Sequence, residues 1–268
     1  MCKPISDCPT VSIIMPLYNA YETIEVAISS VIKQSLEDWE LLVCDDGSTD
    51  NSLTVVQNCQ FEDSRISIIS NKYAKGAAGA RNSALDIAKG RYVAFLDSDD
   101  EWLSEKLELQ IDFMRKNNYV FTFSYYETMS EIGDLLLKYK APEFVDCNLM
   151  KLSNFIPCLT AVYDSHLIGK IYQPEIKKRN DFALWLKILN GGEVSRAYCL
   201  PVITARYRVN QHGLSSNKLD NLLHFRRCLT EYGNCNSFEA NIYACIYLFV
   251  TLIKKRLSCI YNFIVVKI

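Results

Sequence analysis

The sequence predicts an α/β protein built on a mainly parallel central sheet covered by helices on both faces. Two observations carry this expectation: through the first hundred residues short apolar runs alternate with amphipathic segments, and a polar cluster follows each apolar run. A third supports it: 49% apolar and 22% charged residues in 268 are an ordinary globular mixture, long enough for one large domain or two small ones.

Residues 11–15 read as a buried strand, and Tyr21, Ile24, Ile28, Val31 and Ile32 mark one face of a following helix. Residues 41–44 read as a second strand, 53–59 as a short helix, 66–69 as a third strand, 80–88 as a helix and 92–96 as a fourth strand. Such alternation implies right-handed crossovers between parallel strands, with ligands bound beyond the strands' carboxyl ends. Segments 16–19, 45–50, 75–82 and 97–100 are therefore where function is expected. Beyond Trp102 the rhythm loosens: 104–117 has helical character and 120–126 strand character, while 133–159 has no clear period. No repeat or low-complexity linker intervenes, so the halves are expected to share one continuous sheet.

A formal net charge of −2, from 29 basic and 31 acidic residues, argues against bulk nucleic-acid binding, which needs a concentrated positive surface. Eleven cysteines, an odd number without a CxxC pair, read as reduced and mostly buried thiols of a cytosolic protein. Residues 1–10 lack the apolar core of a signal peptide, and no run reaches the roughly 18 apolar residues of a spanning helix.

Three motifs carry chemistry. Phe95-Leu96-Asp97-Ser98-Asp99-Asp100 is an apolar strand ending in three carboxylates. Such crowding needs a cation or hydrogen-bond donors; oxygen ligands of this kind suit Mg2+ or Mn2+ bridging a diphosphate, while a solvated turn capping the next helix is the plainer alternative. Asp45-Asp46-Gly47-Ser48-Thr49-Asp50 also follows a strand. There Gly47 permits a tight turn and Ser48 or Asp50 can cap a helix, but the paired Asp45 and Asp46 suit a base or ribose edge. Lys75-Gly76-Ala77-Ala78-Gly79-Ala80-Arg81-Asn82 is a small-residue turn entering a helix, where Lys75 and Arg81 could neutralise phosphate. It matches neither a Walker loop nor GxGxxG.

With Pro16-Leu17-Tyr18-Asn19 ahead of them, these motifs make the chain resemble family 2 glycosyltransferases of the A-type fold, the group that builds bacterial surface polysaccharides. The resemblance covers roughly residues 11–215. It implies an inverting transferase moving a hexose from a nucleotide sugar, UDP-linked, to a saccharide acceptor carried on a polyprenyl diphosphate in O-antigen or capsule synthesis. It places the base at Asp45 and Asp46, ribose at Asp97 and the metal (Mn2+ or Mg2+) at Asp99 with Asp97. Pro16, Tyr18, Asn19, Lys75 and Arg81 complete the donor side. It divides the chain into a nucleotide-sugar-binding half (1–100), an acceptor half (101–216) and a helical tail (217–268).

In the acceptor half, Lys178-Arg179-Asn180-Asp181 opens a helix whose buried side carries Phe182, Trp185, Leu186 and Leu189. Asp181 suits a helix N-terminus. The family has Glu-Asp here with an acid as catalytic base, and since Asn180 stands in the first place, Asp181 is the candidate. Tyr207-Arg208 and His212 are similar to the family's closing loop, which implies that Arg208 and His212 stabilise the leaving diphosphate. A nucleotidyltransferase would add a basic triphosphate loop near the N-terminus, and a processive synthase a QxxRW motif; neither is present. A non-catalytic sugar-binding protein of the same fold is the alternative of another class.

The tail carries Ile242, Tyr243, Ile246, Tyr247, Phe249, Val250 and Ile253 before Lys254-Lys255-Arg256, and a second apolar segment to the end. This suits a helix packed on the core or an interfacial helix on the cytoplasmic membrane face, its cations among anionic headgroups. The second explains both apolar pieces and is the expectation.

Overall fold

A computed structural model describes residues 8–209 and 218–256. The first half runs β1 (Val11–Leu17), α1 (Ile24–Ile32), β2 (Trp39–Asp45), α2 (Ser52–Glu62), β3 (Ile66–Ser70), α3 (Ala77–Ile87) and β4 (Tyr92–Phe95). All seven residues of β1 are buried, as befits a central parallel strand covered on both faces. Val11, Ile13 and Met15 join one core layer with Ile24, Ile28 and Val31 of α1, and Ile14 points into the other with Ala80 and Ala84 of α3. The period of two thus sorts one apolar run between two layers.

Strands β3, β2, β1 and β4 lie side by side, all parallel. Leu17 is level with Asp45, and Ile14 with Phe95, so the loops after β1, β2 and β4 emerge together at one edge. Two details depart from expectation. Tyr21 precedes α1 and is 48% exposed, and Ile32 faces outward at its end, because the buried stripe is Ile24, Ala27, Ile28 and Val31. Helix α3 begins three residues early, within the small-residue turn, and packs closely: a Cβ on Gly79 would lie 2.0 Å from the Ala74 carbonyl oxygen.

The second half adds β5 (Glu101–Trp102), α4 (Lys106–Asn117), β6 (Phe121–Met129), β7 (Leu135–Tyr139), β8 (Phe144–Val145), α5 (Cys147–Met150), β9 (Val162–Asp164), α6 (Ser165–Ile168), α7 (Asn180–Asn190), β10 (Ala197–Arg208), α8 (Lys218–Tyr232) and α9 (Ser237–Arg256). One sheet crosses both halves in the order β3-β2-β1-β4-β9-β6-β10-β5, with β7 on β6 and β8 on β10. β9 joins β4 and β6, antiparallel to each; β6 and β10 are again parallel. β5 and β8 pair antiparallel with β10, and β7 with β6, so the parallel character is concentrated in the first half. The aperiodic 133–159 stretch contains β7, β8 and α5, elements too short to show a period.

Helix α7 is buried on more faces than its apolar stripe suggests: Ala183, Leu184 and Ile188 are buried as well as the four expected residues. Trp185 packs edge-on to Phe95 at 5.7 Å and donates its indole N–H to the Ile156 carbonyl at 2.9 Å. Nine described cysteines are free thiols, five of them buried. Among the described residues no helix is long and apolar enough to cross a membrane.

Candidate active site

Parallel register brings the loops after β1 and β2 into contact, and their polar side chains lock them together. Asn19 adopts a left-handed backbone, φ 46°. Its Oδ1 accepts the Thr49 N–H at 2.8 Å, its N–H donates to Ser48 Oγ at 3.2 Å, and the Ala20 N–H donates to Ser52 Oγ at 2.8 Å. Asp45 accepts the N–H groups of Gly47 and Ser48 at 3.3 and 3.1 Å, closing the turn whose positive φ at Gly47 needs glycine. Asp46 accepts Asn71 Nδ2 at 2.6 Å and the Gly76 N–H at 2.8 Å, which ties the small-residue turn to β2. Each aspartate thus has lone pairs committed to the loop and others left over. Lys75 Nζ lies 4.8 Å from the ring centre of exposed Tyr18, and Pro16 is buried within β1.

The Leu96 N–H bonds to the Ile14 carbonyl, so the acids that follow β4 sit beside the β1 loop. A cleft of about 540 Å³ is lined by Tyr18, Asn19, Tyr21, Asp50, Ser98 and Asp99. The three acids differ sharply. Asp97, half-buried, is ion-paired with Arg81. Asp99 faces the cleft. Asp100 is buried and accepts the Arg208 N–H at 2.8 Å; burial first, then the charges of Asp99 and Asp97, hold its carboxyl well above the usual range.

Two sequence-selected arginines are placed otherwise than expected. Arg81 is not turned toward a phosphate: it is 6% exposed, with Nη2 on Asp97 and Nη1 on Gln173 Oε1 at 3.2 Å. Burial works against its charge, but Asp97, Cys158 and Asp181 together more than offset this. Arg208 is a clamp. It donates to the carbonyls of Asp99 at 2.9 Å, Glu131 at 2.8 Å and Ser130 at 3.3 Å, and to Glu101 Oε1 at 3.1 Å, so most of its fork is spent on the acidic loop and the β6–β7 turn. His212 lies outside the described residues.

Asp181 sits in the first turn of α7 and accepts Asn154 Nδ2 at 3.1 Å. Its carboxyl is raised by burial, against the lowering effects of the Phe182 N–H, Arg81, Arg179 and Asn154. Asn180 turns away and donates to the carbonyls of Ile176 and Pro174, holding the segment that precedes α7; an acid there would lack a donor for them. Arg179 donates to the Asn221 carbonyl at 3.0 Å and to Tyr247 Oη at 2.7 Å, which ties α7 to α8 and α9.

Three further residues lie in this cluster. Tyr207 is raised by burial, then by Asp100, Asp99 and Asp97. Cys158, raised well above the usual thiol value by burial, feels Arg81, Asp97 and Asp181. Gln173 joins Arg81. Tyr207 adjoins a sequence motif, but nothing in the sequence distinguishes Cys158 or Gln173.

A family model described as Glycosyl transferase family 2 matches residues 12–162. The chain is 47% identical over 212 residues, 79% of its length and 82% of the relative's, to the UDP-Glc:alpha-D-GlcNAc-diphosphoundecaprenol beta-1,3-glucosyltransferase WfgD of Escherichia coli. It is 39% identical over 223 residues, 83% and 86% of the two lengths, to WfaP, a glucosyltransferase of the same description and organism. The mannosyltransferase PcManGT of Pyrobaculum calidifontis, solved with GDP-Man and Mn2+, shares the fold with a TM-score of 0.65 at 18% identity, over 90% of this chain and 70% of that one.

Proposed function

The chain belongs to glycosyl transferase family 2, and from that membership we propose that it transfers glucose from UDP-glucose to an N-acetylglucosamine carried on a polyprenyl diphosphate, with inversion, in surface polysaccharide synthesis. WfgD and WfaP act on those substrates. The observation that carries the reading is that Asp97, two residues before the cleft acid Asp99, and the α7 acid Asp181 both act on one buried cation, Arg81. The donor side is taken as residues 1–100 and the acceptor side as 101–216.

The acceptor hydroxyl attacks the anomeric carbon, Asp181 takes its proton, and the bond to the diphosphate breaks in the same displacement. One base and no enzyme nucleophile turn an α-linked donor into a β-linked product. Asp45 and Asp46 serve the base, Asp97 the ribose, and Pro16, Tyr18, Asn19 and Lys75 the remaining donor surface. Arg81 and Arg208 act by holding Asp97 and the Asp99 loop.

Asp97 and Asp99 are hard oxygen donors beside an open cleft and fit Mn2+ or Mg2+. Held there, an ion would take one or two carboxylates from the protein, its shell being completed by substrate phosphate. When bound, such an ion neutralises the leaving diphosphate.

Peripheral attachment to the cytoplasmic membrane face is part of the proposal. Helix α9 packs Ala240, Ala244, Tyr243, Tyr247 and Val250 on the protein, while Phe238, Ile242, Cys245, Phe249 and Leu252 are exposed, Phe238 at 74% and Phe249 at 65%. Their spacing of four and three residues sets them on a second face, and Lys254-Lys255-Arg256 follow in sequence.

The test incubates purified protein with a panel of sugar nucleotides and manganese, with and without a GlcNAc-diphosphate lipid, and measures nucleotide release. UDP release from UDP-glucose that depends on the acceptor is expected; no release above blank with any donor and acceptor refutes transfer.

A further inference from the structure

Among the described residues three buried side-chain nitrogens have no hydrogen-bond acceptor: Trp39 Nε1, Arg81 Nε and Gln173 Nε2. Two of the three belong to one cluster, joined by the bond from Arg81 Nη1 to Gln173 Oε1. An orphaned buried donor costs on the order of 1–3 kcal/mol, so a position kept only for packing would favour an apolar side chain. Gln173 is 3% exposed, and its place is dictated by backbone. Its N–H donates to Asn82 Oδ1 at 2.8 Å, and its carbonyl accepts Asn82 Nδ2 at 3.0 Å. This reciprocal pair fastens the segment before α7 to α3 and aims the Gln173 amide oxygen at the guanidinium.

A guanidinium is a rigid planar fork. Holding Nη1 sets the plane, and the plane sets the direction from which Nη2 meets Asp97. The same segment continues through Pro174 and Ile176, whose carbonyls accept from Asn180, directly into Asp181. We propose that Gln173 is a positioning residue of the transfer reaction, fixing Arg81 and through it the Asp97 carboxylate relative to the segment that carries Asp181. Gln173 itself touches neither substrate. The electrostatic influence of both Asp97 and Asp181 on Arg81 accords with this placement between the two acids.

This inference rests on the transferase reading and is tested on the full chain with UDP-glucose and the lipid acceptor. Gln173→Met keeps length and removes hydrogen bonding. Gln173→Glu keeps an acceptor but adds a charge that competes with Asp97 for Arg81. Because misplacement of about 1 Å can cost ~10²-fold in rate, kcat is expected to fall by roughly 10- to 100-fold in Gln173→Met and further in Gln173→Glu, with the donor KM changing less than kcat. Wild-type kcat in Gln173→Met overturns the inference even if its melting temperature drops, since that pattern marks a structural role alone. Should Gln173→Met fail to fold, wild-type kcat in Gln173→Glu overturns it. An active wild type whose variants keep its kcat sinks this inference and leaves the transferase reading standing; a wild type without turnover sinks both.

Discussion

Replacing Asp181 by Asn separates chemistry from structure at the proposed base. The swap is isosteric and keeps a carbonyl oxygen for Asn154 Nδ2, now at 3.1 Å from the carboxylate, so the start of α7 should stay in place. What disappears is the ability to take a proton. General-base catalysis contributes about 10²–10⁴-fold, or roughly 3–5 kcal/mol of transition-state stabilisation, and turnover should fall by that factor. The loops after β1 and β2 are untouched, so calorimetric affinity for UDP-glucose should hardly change. The raised carboxyl pKa makes a stability claim too. The folded state holds the Asp181 proton to higher pH than the unfolded state does, from the ordinary value of 3.8 upward. This contribution to stability is present at low pH and lost as pH rises through the folded pKa. A neutral Asn carries no such penalty, so the variant's melting temperature should gain on wild type between pH 4 and pH 7. Loss of donor affinity in step with turnover would refute the assignment and make Asp181 a donor-binding or structural residue.

Asp99→Ala should abolish transfer while melting as wild type does, and EDTA should mimic it; full activity in excess EDTA rejects the metal ligands. Arg208→Ala strips donors from the Asp99, Ser130 and Glu131 carbonyls and should cost on the order of 2–4 kcal/mol in urea unfolding, whereas an unchanged midpoint would deny the clamp. Lys106 is fully buried against Gln110 Oε1 and the Trp102 ring, and burial pushes its ammonium down to about 7. The unfolded chain therefore binds more protons between pH 7 and pH 10.5, and wild-type stability rises with pH across that window. Lys106→Met should be relatively most stable at pH 6 and lose ground to wild type by pH 9; a pH-independent difference in melting temperature contradicts the buried-lysine account. Truncation after Ser237 should release the protein from anionic liposomes at low salt, and a full-length protein that never binds them would make the exposed face of α9 a protein contact.

Much of the site was legible because parallel strands all present their carboxyl ends at one edge. Once residues 11–15, 41–44 and 92–96 read as such strands, Asn19, Asp45 and Asp99 had to emerge near one another, and the register of β1 against β2 and β4 bears this out. The cluster at Asp97, Asp99 and Asp100 was visible as like charges that required compensation. What compensates them was not. Arg81 reads as a cation able to neutralise phosphate where a small-residue turn enters a helix, yet it is buried, paired with Asp97 and held by a glutamine 92 positions away. Arg208 reads as a phosphate partner, yet it spends its fork on a carbonyl 109 positions earlier.

The antiparallel insertion of β9 between β4 and β6 was equally hidden, since three residues are too few to express a period. The amino-acid sequence by itself determined the alternation of strand and helix, the edge where the loops after β1, β2 and β4 gather and the acids placed there, because periodicity and turn chemistry act over a few neighbouring residues. Only the tertiary structure decided which acid meets which cation and that Gln173 stands between them, because such pairings depend on segments brought together across the whole sheet.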